Sequence, residues 1–252
     1  MISCRSALMV AAAMSLAACA REAAVAPEAA PAQSAASVAE PALEVAAPAK
    51  WTARGQEPGW ILTIENGKAD FSYAYGEKSH TAVLPPSQAI EGGIEYFEKP
   101  GGLAVTVLNA PCADVMSGLP YPETVTVTLG DEVFKGCGGD TESLLTGAAW
   151  QVETIRGERL VGGFSVTMMF DPKADKIGGS GGCNSYGAPY TLTGEGLSIG
   201  DPTYTEKACD GALMTQESAF LEALVGITMF SVDETGALRM DGPDGERIAA
   251  RR

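Results

Sequence analysis

Residues 178–190 read GGSGGCNSYGAPY, a cysteine and an asparagine behind two pairs of glycines. Three kinds of chemistry use such residues. Cys183 could be a nucleophilic or redox thiol, one half of a disulfide, or part of a loop whose exposed amides and Tyr186 bind a ligand. Gly178, Ser180 and Gly182 also have the Gly-x-Ser-x-Gly spacing of a nucleophile elbow. That elbow needs a strand before it, a helix after it and a histidine base. Here NSYGAPYTL follows, a turn-and-strand pattern, and the sole histidine, His80, lies in the other half of the chain. The elbow is therefore rejected. A phosphate-binding loop is rejected too, because no Gly-Lys-Ser/Thr follows the glycines. A reactive thiolate wants a nearby base, cation or helix N-terminus. Cys209 stands next to an expected helix start, but the chain has no Cys-x-x-Cys pair. The glycines read first as conformational, letting a strand bend and Cys183 reach Cys209. Asn184 is expected to hydrogen-bond its own turn. Gly182, Cys183, Asn184 and Tyr186 stay as a possible binding loop; no catalytic residue, cofactor or metal ligand is assigned. An enzyme would need Glu217, Tyr186 and Asn184 gathered in one pocket.

The other polar clusters have blander readings. DPKAD, DETG and DGPDGE gather carboxylates, but none has the twelve-residue calcium-loop spacing, and each falls where a hairpin turn is expected. His80 reads as an exposed or hydrogen-bonded strand residue. Trp60 and Trp150 read as core plugs of their sheets.

The N-terminus sets the compartment. Residues 1–18 hold one charge, Arg5, followed by the apolar run ALMVAAAMSLAA. That run suits a signal-peptide h-region and is short for a membrane-spanning helix. It ends in Leu16-Ala17-Ala18-Cys19, which resembles the bacterial lipobox. The resemblance implies a lipidated Cys19, cleavage before it and a membrane anchor of several acyl chains. Residue 20 is Ala rather than Asp, which points to the outer membrane, facing the periplasm. Residues 19–50 form the lipidated end and an alanine/proline-rich tether without hydrophobic period, expected to be disordered. Its reach is roughly 30 Å coiled and about 95 Å stretched.

The chain has 252 residues and a net charge of −15. Removal of the leader takes away Arg5 and no acid, so the mature charge is about one unit more negative. That charge repels nucleic acid, and there is no basic cluster longer than Arg251-Arg252. A cationic protein or peptide is the electrostatically natural partner. Four cysteines remain after Cys4 and Cys19: Cys112, Cys137, Cys183 and Cys209. They allow three pairings. The local one, Cys112–Cys137 and Cys183–Cys209, closes two loops of similar size, each stabilising by roughly 3–4 kcal/mol.

The folded part reads as mainly β: two small antiparallel β domains, meander or barrel-like, the second with one packed α-helix. In residues 51–142, GWILTI alternates Trp60, Leu62 and Ile64 onto one face, and FSYAYG does so with Phe71, Tyr73 and Tyr75. Further strands are expected at 94–97 and 103–109, and TVTVTLGDEVFKG reads as a hairpin turning at Gly130-Asp131. APCADVMSGLPYP is a connection with room for one helical turn. In residues 143–252 strands are expected at AAWQVETIRG, 166–170, 186–191 and 197–199. Asp210 then caps a helix, GALMTQESAFLEALVG, whose apolar pairs share a face, and Gly226 stops it. ITMFSV and ALRMDG close the domain across DETG, with RIAA as a last short strand.

Trp150, the run Gly182-Cys183-Asn184 with Tyr186, Cys209, and Met214 followed by Glu217, Phe220 and Leu224 come in an order that resembles the META domain of HslJ-type heat-shock envelope proteins. The resemblance implies a β-rich fold with one helix, links to heat shock and aminocoumarin tolerance, and no established enzyme activity. ARGQEPGW and YPETVTVTLGDEVFKGC resemble an uncharacterised lipoprotein domain found beside META domains. The whole reads as a lipid-anchored, non-enzymatic envelope protein with a binding or stress role. The alternative is an inhibitor or binder of a cationic protein or peptide, or of a small apolar ligand.

Overall fold

The computed structural model describes residues 50–162 and 164–252. The signal peptide, Cys19 and all of the tether before Lys50 lie outside the described residues.

Among the described residues, eleven strands come from the first half: β1 (Lys50–Gln56), β2 (Gly59–Glu65), β3 (Lys68–Tyr73), β4 (Lys78–Val83), β5 (Gln88–Ile90), β6 (Gly93–Phe97), β7 (Leu103–Leu108), β8 (Cys112–Ala113), β9 (Pro120–Tyr121), β10 (Glu123–Leu129) and β11 (Glu132–Gly138). Nine of them form one antiparallel sheet in the order β4-β3-β2-β1-β11-β10-β7-β6-β5. Alternation explains its two faces. Leu62, Phe71, Val105, Val125, Val127 and Phe134 are buried on the inner one, while Ile61, Val133 and Lys135 point out. The sheet curls around this core, and aromatic edges fill it: Phe71 meets Trp60 and Phe134 edge-on and stacks on Tyr73. His80 on edge strand β4 reaches Glu98 beside the β6–β7 turn, 3.3 Å away. As expected, the hairpin turns at Gly130-Asp131.

FSYAYG departs from its expected pattern. Only Phe71 and Tyr73 are in β3; Ala74 and Tyr75 take positive φ (51° and 57°) in the turn to β4. Tyr75 is 77% exposed, held by its N–H on Gly59 O rather than by the core.

The second half supplies β12 (Trp150–Ile155), β13 (Glu158–Arg159), β14 (Thr167–Asp171), β15 (Lys176–Ser180), β16 (Ser185–Thr193), β17 (Gly196–Ile199), β18 (Thr203–Tyr204), α1 (Gly211–Val225), β19 (Met229–Val232), β20 (Leu238–Gly242) and β21 (Gly245–Arg251). A 3-10 turn, Thr141–Leu144, precedes them. The main path runs β17-β16-β15-β14-β12-β21-β20-β19, with β13 on β12 and β18 on β16. Its two edges approach each other, since Leu197 N–H donates to Thr228 O just before β19. The carboxylate clusters fall in hairpin turns: residues 172–175 join β14 to β15, 233–237 join β19 to β20, and 243–244 join β20 to β21. Asp233 holds its turn by accepting from the Thr235 and Ala237 amides.

Helix α1 begins at Asp210, whose carboxylate accepts from Ala212 N–H, and stops at Gly226. Leu213, Glu217, Phe220 and Leu224 recur at helical spacing on its buried face. That face covers the core of the second sheet, with Trp150 at its base. The Trp150 indole N–H donates to Leu145 O at 2.9 Å, and the Arg252 guanidinium lies 4.0 Å above its ring. Trp60 and Trp150 are both buried. Leu119, Tyr121 and Cys137 of the first half join this second core, so the β8–β9 ribbon docks the two sheets together.

Candidate functional site

The Gly-Cys-Asn stretch lies where sheet meets helix. Gly178 and Gly179 belong to β15 and pair with Gly187 and Tyr186 of β16, so the antiparallel hairpin includes residues that look like loop in the sequence. Its turn is closed by Gly181 N–H on Asn184 O at 2.7 Å. With the backbone already closing the turn, the Asn184 side chain is free to reach away, contrary to the expected local bond. Its Oδ1 accepts from Lys207 N–H and Thr205 Oγ1, both at 2.8 Å. Its Nδ2 donates to Glu217 Oε2 at 2.7 Å, while its own N–H donates to Glu217 Oε1 at 2.6 Å. One asparagine thus joins the hairpin turn, the segment before the helix, and the helix.

Asn184 is 2% exposed and Glu217 4%. A buried carboxylate is tolerated only where hydrogen bonds replace its water; here both oxygens are taken by Asn184. The glycines allow that close approach. A Cβ on Gly181 would lie 2.7 Å from Glu217 Oε1. Gly182 has φ +116°, and a Cβ there would lie 2.9 Å from Leu213 Cδ1. Covalent closure is added by Cys183–Cys209, with a Cα–Cα distance of 6.1 Å. The second bridge is Cys112–Cys137, at 5.4 Å. Both expected pairings are present.

Tyr186 is buried against Phe220, ring edge to ring face, and its hydroxyl donates to Thr167 O at 3.0 Å. Burial pushes the phenol well above its ordinary value, which keeps it neutral. Ser180 Oγ accepts from Gly182 N–H. The polar atoms of the would-be binding loop are therefore spent on the protein itself. Asn184 and Glu217 do meet, but Tyr186 ends on a different partner and shares no polar contact with them. Among the described residues, no group of three or more His, Cys, Asp or Glu side chains is placed to hold a metal ion.

Two open grooves lie elsewhere and meet at Arg54. One, of about 610 Å³, runs between the two halves, from Lys50 and Trp51 past Tyr121 to Asp140 and the β16–β17 turn. The other, of about 670 Å³, lies on the outer face of the first sheet, under the 112–116 segment. That segment is pinned by Asp114. Gln56 Nε2 donates to its Oδ2 at 3.0 Å, and the Met116 and Ser117 amides and the Ser117 hydroxyl donate to its Oδ1. Burial alone would raise the Asp114 carboxyl, but these hydrogen bonds outweigh it and hold the group below the ordinary carboxylate value. Spacing in the sequence gives no sign of either groove. Strand pairing alone brings Arg54 of β1 beside Cys137 of β11.

The family described as META domain matches residues 143–252. That span starts in the 3-10 turn between the two sheets and includes the whole Asn184–Glu217 contact. No curated protein matches the chain. Among solved structures, an NMR structure of a protein from Burkholderia xenovorans is similar at 23% identity, covering 44% of this chain and 84% of that one, with a TM-score of 0.37. Among the described residues, no helix is long and apolar enough to cross a membrane.

Proposed function

We propose, on the premise that residues 143–252 are a META domain, that this protein is a lipid-anchored module of the bacterial envelope that binds rather than catalyses. META domains belong to envelope-associated proteins. The observation that carries the non-enzymatic part is the closed Asn184–Glu217 contact: the carboxylate and amide best suited to proton transfer or polarisation are buried and mutually satisfied. Cys183, the one thiol in that loop, is held in a disulfide. Two disulfides in a chain of this size fit an oxidising compartment outside the cytosol, which agrees with the lipobox-like LAAC at residues 16–19.

Anchoring is tested by feeding cells that express the full chain an alkyne-bearing fatty acid. The wild-type protein takes up the label and fractionates with outer membrane, and Cys19→Ser loses the label completely. An unlabelled wild-type protein found free in the periplasm would end the anchored reading. The second reading, capture of a cationic protein or peptide such as a lysozyme, is favoured by the net charge of −15, because opposite charge speeds encounter and holds the complex most strongly at low salt.

A further inference from the structure

The chain has 17 basic and 32 acidic residues, so clustered unpaired cations are unexpected on its surface. Yet Arg54 and Lys135, both exposed, have no carboxylate within ion-pair distance among the described residues. They sit on adjacent strands and the same outward face. Arg54 is opposite Cys137, Lys135 lies two residues from Cys137 along β11, and Arg54 and Lys135 both line the groove. The Arg54 guanidinium stands 5.9 Å from the centre of the Tyr121 ring, a neutral support. Two acids border the same groove. Asp114 is already surrounded by neutral donors from Gln56, Met116 and Ser117, and Glu57 is exposed to solvent.

The other wall has the opposite character. Val115 and Met116 are 80% and 74% exposed, at the lip of the groove, with the Cys112–Cys137 bridge behind them. These two side chains supply exposed hydrocarbon against which an apolar chain can lie. Cations on one side and hydrocarbon on the other describe the two ends of one kind of molecule. We propose that this groove binds a single-chain anionic amphiphile. Its carboxylate or phosphate lies between Arg54 and Lys135, and its hydrocarbon runs along Val115, Met116 and the disulfide. About 670 Å³ is in the range of small-molecule sites. A whole anionic bilayer is the poorer occupant, since a protein of net charge −15 is repelled by it as a body. The inference rests on the binding reading above but is independent of the anchor at Cys19.

The test is calorimetric titration of the mature full chain with dodecanoate and with a lyso-phosphatidylglycerol, both below their micelle concentrations. Dodecyl maltoside is the neutral-headgroup control. Expected is one-to-one binding of at least one anionic probe and none of the maltoside; the preferred probe tells a free acid from a lipid phosphate. Arg54→Ala with Lys135→Ala weakens binding about tenfold or more, and Met116→Asp does likewise from the apolar side, with only small changes in melting temperature because all three residues are exposed. Equal binding of the maltoside, unaltered affinity in both variants, or binding only to phosphatidylglycerol vesicles would each overturn the groove. None of those results bears on lipid labelling at Cys19.

Discussion

Asn184→Ala is expected to destabilise the protein by about 3–5 kcal/mol, because several buried polar groups lose their hydrogen-bond partner at about 1–3 kcal/mol each. The wild-type side chain carries four hydrogen bonds: to Glu217 Oε2, to Lys207 O, and from Thr205 Oγ1 and Lys207 N–H. Alanine removes all four and leaves one carboxylate oxygen dry, while Glu217 Oε1 keeps the backbone N–H. At about 2–4 °C per kcal/mol for a domain of this size, the melting temperature falls by roughly 6–20 °C. Glu217→Gln is the matching control. It preserves volume, but whichever way its amide is turned, an N–H₂ group faces a donor of Asn184. The cost there is about 2 kcal/mol, the desolvation penalty of an unsatisfied donor. Urea denaturation of the three proteins measures both. An Asn184→Ala loss below about 1 kcal/mol would mean that the contact does not support the fold.

Cys183→Ala with Cys209→Ala is expected to cost about 3–4 kcal/mol, from the chain-entropy estimate for a loop of this length. The bridged residues are 26 apart in sequence, so the freed loop adds substantial entropy to the unfolded chain. The same two segments are also joined by Asn184 through Lys207 and Thr205. Bridge and asparagine therefore act on one closure, and their losses should be non-additive. A double-mutant cycle with Asn184→Ala reads that coupling; strictly additive losses would show that the disulfide and the hydrogen bonds hold separate parts of the structure.

Much of the fold could be read from side-chain period alone. GWILTI alternates as a strand with one solvated face, and Trp60, Leu62 and Ile64 are buried as that alternation requires. The helix was equally legible, because an acceptor stands at its start, a glycine at its end, and an apolar stripe between them. β15 was not, since Gly178 and Gly179 have no side chains with which to alternate; only their pairing with β16 makes them a strand. β1 was hidden for another reason. Its first residue, Lys50, looks like the end of the alanine-rich segment, and its outward positions carry Thr52, Arg54 and Gln56 between Trp51, Ala53 and Gly55.

The site was half legible. Glu217 in the apolar stripe Leu213, Phe220, Leu224 is a visible anomaly, and a buried carboxyl group requires hydrogen-bond partners. Which partner could not be read, because Asn184 lies 33 residues away and is delivered by sheet pairing. Asn and Gly together suggest a local turn, and the turn is there; the backbone closes it and leaves the side chain for the helix. The Arg54–Lys135 groove had no signal of this kind. Two exposed cations 81 positions apart become neighbours only through the β1–β11 register.

The most direct test is the exchange rate of the Asn184 amide hydrogen in the native protein. It donates to a buried carboxylate at 2.6 Å, so the closed arrangement predicts protection comparable to that of core amides such as Val125 and Leu238, with exchange only through global unfolding. Exchange orders of magnitude faster, at the rate of the exposed turns, would show that the Gly-Cys-Asn loop opens to solvent. The loop would then be free to act on a ligand, contradicting the reading of it as a closure between sheet and helix.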